Sequence, residues 1–209
     1  DKYDKLLKEL DVVISQELAV PKVGVKPPII KGFSHGSENE ISKSIEAFPP
    51  ELRPNIKEIK INPDIDIPRY LFGVKGEGGT IELPTSFKNY KSFQHELSLH
   101  HELAHGALWD KLKAGDSEFL VDYARAIGKP EELIAKITGK DYRSWDKKIF
   151  KALNESFARD LEWSIVKDYN MMTVGSREFF GKIAPRAEAV VPKVGVKPET
   201  IIGYRHGGK

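Results

Sequence analysis

"HELSLHHELAHGALWD", residues 95–110, holds four of the six histidines of the chain. Two pairings compete within it, His95 with His100 and His101 with His105. Each residue of an α-helix turns by about 100°, so His101 and His105 project from one face, about 40° apart and one turn along the axis. His95 and His100 diverge by about 140°, too far for one ion to bridge without breaking the helix. Glu102 then lies beside the metal rather than on it, where a carboxylate can take a proton from a water that the metal activates. This is the H-E-x-x-H pattern of zinc hydrolases. The competing explanation is a histidine-rich solvated helix. A helix is required in either case, and Ser92–Leu112 supplies it: Phe93, Leu97, Leu103, Ala104, Ala107, Leu108 and Leu112 recur mostly at helical spacings, no proline interrupts them, and Ser92 can cap the start.

Composition sets the frame around that helix. The chain has 209 residues, 40% of them hydrophobic and 31% charged, as in ordinary soluble domains, and one substantial domain is expected. A net charge of +2 gives no electrostatic case for nucleic acid. The chain contains no cysteine, which removes disulfides, thiolate zinc fingers and cysteine nucleophiles and leaves nitrogen and oxygen as zinc donors. No apolar run is long enough to cross a bilayer, and the opening "DKYDKLLKEL" is charged rather than signal-like. The start at Asp1, without methionine, leaves room for a preceding signal or domain. The expected localisation is secretion or delivery from a larger polypeptide, with the cytoplasm left open.

Outward from the metal helix, the pattern predicts an amphipathic helix over 2–18 and a short helix over 37–48 capped by Ser37. Strands are expected at "KEIKIN" (57–62), "YLFGVK" (70–75) and "GTIEL" (79–83), forming a small antiparallel sheet. Helices follow at 116–127, 130–137 and about 145–168, the last opening at Asp146. The expected class is α+β, a small antiparallel sheet followed by a helical lobe that carries the H-E-x-x-H helix. "VPKVGVKPPIIKGFSHG" (20–36) recurs as "VPKVGVKPETIIGYRHG" (191–207), its first eight positions identical. Prolines spaced around a glycine suggest a duplicated extended linker, and His35 and His206 within it receive no metal role. The expected division is therefore 1–36 helix and linker, 37–185 catalytic domain and 186–209 second linker.

A catalytic zinc takes three protein ligands and keeps one position open. No histidine follows His105 by six residues, which excludes the extended three-histidine pattern. The third ligand is then expected to be a carboxylate from a later element: Glu155 in "LNESFARDLEW" first, with Glu162 and Asp160 as alternatives.

The order "LRPNIKEIKINPD", "GEGGTIELP", "HELAH" and then "NESFARDL" resembles the catalytic domain of the anthrax lethal factor group and its relatives, the proline-proline endopeptidases. The resemblance covers roughly residues 45–165 and lies in the order of elements more than in identity. It implies a zincin-like fold of the gluzincin type, His101, His105 and Glu155 as zinc ligands, and Glu102 as the general base. Members of the group carry a tyrosine seven residues before the glutamate ligand, supporting the oxyanion. Here that position is Lys148, and Tyr142 is the nearest upstream tyrosine and the expected catalytic substitute.

The resulting expectation is a zinc metalloendopeptidase acting on protein or peptide bound in extended form along "GTIEL", with no membrane span and with membership of a longer multi-module polypeptide open. Two rivals accompany it: a catalytically inactive zincin-fold binding or structural module of a larger viral or secreted polypeptide, and a delivered toxin protease domain.

Overall fold

The computed structural model describes residues 27–73 and 77–183. The expected helix at 2–18, the opening of the first repeat copy and the whole second copy with His206 lie outside the described residues. In chain order the elements are β1 (Ile29–Lys31), α1 (Ser37–Glu46), β2 (Ile56–Ile61), β3 (Arg69–Leu71), β4 (Gly79–Leu83), α2 (Phe93–Lys113), α3 (Ser117–Ala126), α4 (Glu131–Ile137), α5 (Lys147–Ile165) and α6 (Val174–Ile183), joined in places by short 3-10 turns. The architecture is mixed α+β, one four-stranded sheet with the helices around it.

The sheet is not antiparallel, as the sequence suggested, but mixed. Its order is β1-β2-β4-β3; β1 and β4 run parallel to β2, and only β3 is antiparallel to β4. Proline and glycine signals mark where strands end but carry no information on which strands pair, and β3 lies outside β4 rather than between β2 and β4. The strand β1 comes from the stretch read as linker. Pro27 and Pro28 precede its first paired residue, where a missing N–H costs no ladder bond. Gly32 follows it at φ +86, and a Cβ there would stand 3.1 Å from the Ile61 Cβ, so the chain turns where only glycine fits easily.

A second correction concerns "GTIEL". It lies between β2 and β3, so β4 has no free edge for an added strand. Glu82 on β4 clamps both neighbours, 3.1 Å from the Lys60 ammonium of β2 and 2.7 Å from the Arg69 guanidinium of β3. Burial pushes its carboxyl up, but Arg69, Asn62 and Lys60 outweigh that and hold it down at about 2. The sheet edge on the side of Phe93–Lys113 is β3.

The helix α2 runs through the centre. Ser92 caps it, its hydroxyl accepting from the His95 N–H at 3.1 Å. Leu99, Leu103, Ala104, Ala107, Leu108 and Leu112 are all buried, and full burial of each leucine contributes about 1.5–3 kcal/mol. Gly106, directly after the second motif histidine, is where the sheet comes closest: a Cβ there would meet Pro54 at 3.0 Å and Tyr70 at 3.1 Å. The packing partner that matters most for the site is α5, opened by Asp146, whose carboxylate accepts from the Lys148 and Ile149 N–H groups, and buried along Leu153, Phe157 and Leu161.

Two local expectations change. Ser37 is not the cap of α1. Gly36, at φ +88, occupies that position, and the Ser37 hydroxyl ties the helix to the loop before α2 through the Lys88 carbonyl and the Tyr90 N–H. The helix α6 was not foreseen. It is short, and long-range contacts hold it: Phe179 and Phe180 pack on Tyr123, and Phe180 on Phe157. The Ser176 hydroxyl also meets the buried Asp160 carboxylate, which accepts from the Tyr123 hydroxyl at 2.7 Å.

Candidate metal centre

The two histidines of the motif and one carboxylate converge between α2 and α5. One ligand atom from each of His101, His105 and Glu155 lies within 4.8 Å of the other two. The Glu155 Oε2 stands 3.5 Å from the His101 Nε2 and 4.0 Å from the His105 Nε2. Donors about 2.0–2.1 Å from a tetrahedral zinc are separated by about 3.3 Å, so this trio is slightly open.

The opposite ring nitrogens decide how well the donors fit a metal. The His101 Nδ1–H donates to the Glu162 carboxylate at 2.7 Å, and the His105 Nδ1–H donates to the Asn154 Oδ1 at 3.0 Å. A carboxylate and an amide oxygen are acceptors, so both rings carry their proton on Nδ1 and present the Nε2 lone pair toward Glu155. Histidines that ligate metals are oriented in this way, by a partner on the far nitrogen. The nitrogen and oxygen donor set, the spacing and the anchored tautomers all fit zinc.

The electrostatics follow from the same neighbours. Burial alone would lower the His101 pKa, but the hydrogen bond and charge of Glu162, with Glu102 and Glu155 behind it, raise it above its ordinary value. That of His105 falls, through burial and the adjacent His101. Glu102 is 8% exposed, and burial pushes its carboxyl up to about 7, with Glu155 and Glu162 adding to the rise while His101 and the nearby Tyr70 backbone oppose it. It therefore sits against β3. A carboxyl that changes protonation near neutrality suits proton transfer.

The other residues singled out in the sequence take distinct places. Glu162 holds the far nitrogen of His101 and Asp160 is buried with Tyr123 and Ser176, so neither meets the Nε2 pair. The Tyr142 ring packs on Trp109, one turn beyond His105, and on Phe150, and it is not among the residues lining the cavity at Glu102. Lys148 is exposed in the first turn of α5. His35 is exposed and stands apart from the centre. Asn154 was missed by sequence reasoning, and Glu162 was given another role. The available signal was an antiparallel α2–α5 register, which aligns His101 with Glu162 and His105 with Asn154 once Glu155 is placed between them.

A cavity of about 400 Å³ opens at this centre, lined by Pro68, Leu97, Ser98, His101, Glu102, Glu155, Arg159 and Glu162. The fold and site thus define a mixed α+β domain with a two-histidine, one-carboxylate centre at a sheet edge. No protein-family model matches the chain, and no curated protein or solved structure does either.

Proposed function

We propose that the protein is a zinc-dependent endopeptidase of zincin-like fold, with His101, His105 and Glu155 holding the metal and Glu102 as general base. The observation that carries this reading is the pair of anchored imidazoles, whose free nitrogens converge on a carboxylate while a second, protonatable carboxylate stands one residue away. Zinc, when bound, supplies a Lewis acid that activates water and polarises a carbonyl at neutral pH. Glu102 takes the proton of the attacking water at its carboxylate and returns it to the departing amine nitrogen. Glu162 and Asn154 keep His101 and His105 in the ligating tautomer throughout. The edge strand β3 pairs only with β4 among the described residues, and its Tyr70 backbone already reaches Glu102. A peptide added to that edge lies extended across the cavity, held by backbone hydrogen bonds.

One observation favours a second reading, a zinc-holding module without turnover. Among the described residues the cavity lining includes no tyrosine whose phenol hydroxyl could support the oxyanion. A single experiment separates the two: metal content by elemental analysis, with cleavage of an unstructured protein followed before and after chelation and zinc restoration. Stoichiometric zinc with chelator-sensitive cleavage that Glu102→Gln abolishes supports the peptidase. Stoichiometric zinc with no cleavage supports the inert module, and absence of zinc removes both.

A further inference from the structure

The cleft contains a cation that the chemistry above does not use. Six arginines fall within the described residues, and five are engaged there. Arg53 donates to the Glu46 and Phe48 carbonyls, and Arg177 to the Met172 carbonyl. Arg69 pairs with Glu82, Arg125 with Asp122, and Arg143 with Asp141. Arg159 alone makes neither a hydrogen bond nor an ion pair with any described residue. It is nevertheless flanked on its own helix by Glu155, one turn before it, and Glu162, three residues after it, spacings at which ion pairs readily form. Both carboxylates are committed elsewhere, Glu162 to the His101 Nδ1 and Glu155 to the two Nε2 atoms.

Arg159 lines the same cavity as His101, Glu102 and Glu155, together with Pro68, Leu97 and Ser98, these last three uncharged. Because α5 runs antiparallel to α2, Arg159 lies on the His101 side of the centre, toward the N-terminal end of α2. Apart from His101 it is the only cationic side chain among the described residues of that lining. Arginine presents a planar fork of donors that matches a carboxylate with two parallel hydrogen bonds, so it favours a carboxylate over a neutral analogue.

We infer that Arg159 is a specificity-determining residue that anchors a carboxylate of the bound peptide on the His101 side of the metal centre. This inference rests on the peptidase reading. The carboxylate has two sources with the same chemistry, an Asp or Glu side chain near the cleaved bond and the free C-terminus of a short peptide.

The test profiles cleavage of a proteome-derived peptide library by mass spectrometry, using zinc-loaded wild type, Arg159→Gln and Arg159→Glu. Wild type enriches Asp or Glu at one position beside the cut, or cuts at a fixed short distance from free C-termini. Arg159→Gln loses the enrichment, and Arg159→Glu shifts it toward Lys or Arg. For the best acidic peptide and its amide counterpart, the ratio of kcat/KM values falls by about ten- to a hundredfold in Arg159→Gln, mainly through KM. Peptides with a free or amidated C-terminus tell the two sources apart. A readout independent of turnover is calorimetric binding of the acidic peptide to zinc-loaded Glu102→Gln, weakened by a similar factor when Arg159→Gln is added. Arg159 is exposed, so zinc content and thermal midpoint stay as in wild type, which separates a lost anchor from a lost fold. Active wild type with no acidic preference, or a preference unchanged in Arg159→Gln, overturns the inference while leaving the peptidase intact. No zinc-dependent cleavage by any form overturns the reading beneath it, and this inference with it.

Discussion

The helix α2 carries two pairs of histidines in different chemical situations. His101 and His105 each have one ring nitrogen fixed by an acceptor from α5 and the other turned toward Glu155. His95 and His100 are treated as aromatic rings. His95 stacks at 4.4 Å on Phe87, with its Nδ1 buried and unpartnered among the described residues. His100 is 1% exposed, edge-on to Phe48, and neither of its nitrogens has a hydrogen bond there. Burial pushes the His100 pKa down to about 4, against a weaker upward pull from the Ser44 backbone. What separates the two pairs is therefore the hydrogen bond on the far nitrogen, since His100 is more deeply buried than His105 and carries no such bond among the described residues.

The strongest way to break this comparison is to delete one ring at a time. His101→Ala, His105→Ala and Glu155→Ala should each take zinc from stoichiometric to background by elemental analysis, while His95→Ala and His100→Ala keep it. Zinc loss in His95→Ala as complete as in His105→Ala would show that the two pairs are not distinct. Next in size, Glu102→Gln should keep zinc and fold yet lose peptide cleavage by about 10²–10⁴-fold, because a proton acceptor disappears without a ligand.

The buried pair is probed by pH. His100 is less basic folded, at about 4, than unfolded, at about 6.5. Stability from its neutral burial is complete above pH 6.5 and is lost as pH falls toward 4, by about 3 kcal/mol if the whole shift is realised. Urea titrations of wild type and His100→Leu between pH 7 and 4 check this, and the variant should show the smaller loss. Equal slopes for both proteins would mean that His100 does not titrate as a core group. The smallest effects are expected for the anchors: Asn154→Ala and Glu162→Gln should retain the fold and weaken zinc binding by about ten- to a hundredfold in chelator competition, against no change for Ser44→Ala beside His100.

Much of the helical frame was legible because its signals are local. The caps Ser92 and Asp146 lie where the sequence put them, and α2 extends one residue beyond the stretch read from apolar spacing. The sheet was legible only as strands. β1 was hidden behind prolines, and the antiparallel expectation failed because turn signals mark strand ends and carry no information on which strands pair. The helix α6 had no strong periodicity of its own, and contacts with Tyr123, Phe157 and Asp160 hold it in place. Tyr142, chosen as the nearest tyrosine in sequence, packs its ring on Trp109.

The sequence by itself determined that His101 and His105 share a face and that Glu102 stands beside them, because the turn of an α-helix fixes the angle between residues four apart whatever surrounds it. It also determined that any metal must be held by nitrogen and oxygen, since the chain has no thiol to offer. Only the tertiary structure showed which of Glu155, Glu162 and Asp160 meets the Nε2 pair. These three lie on one helix within eight positions, and their roles diverge according to which neighbour each meets across the helix packing: the Nε2 pair, the far nitrogen of His101, or the hydroxyls of Tyr123 and Ser176. Such assignments depend on the register of α5 against α2, which is set by the burial of Leu153, Phe157 and Leu161 against the rest of the core, a long-range interaction that the local sequence around "NESFARDLEW" does not contain.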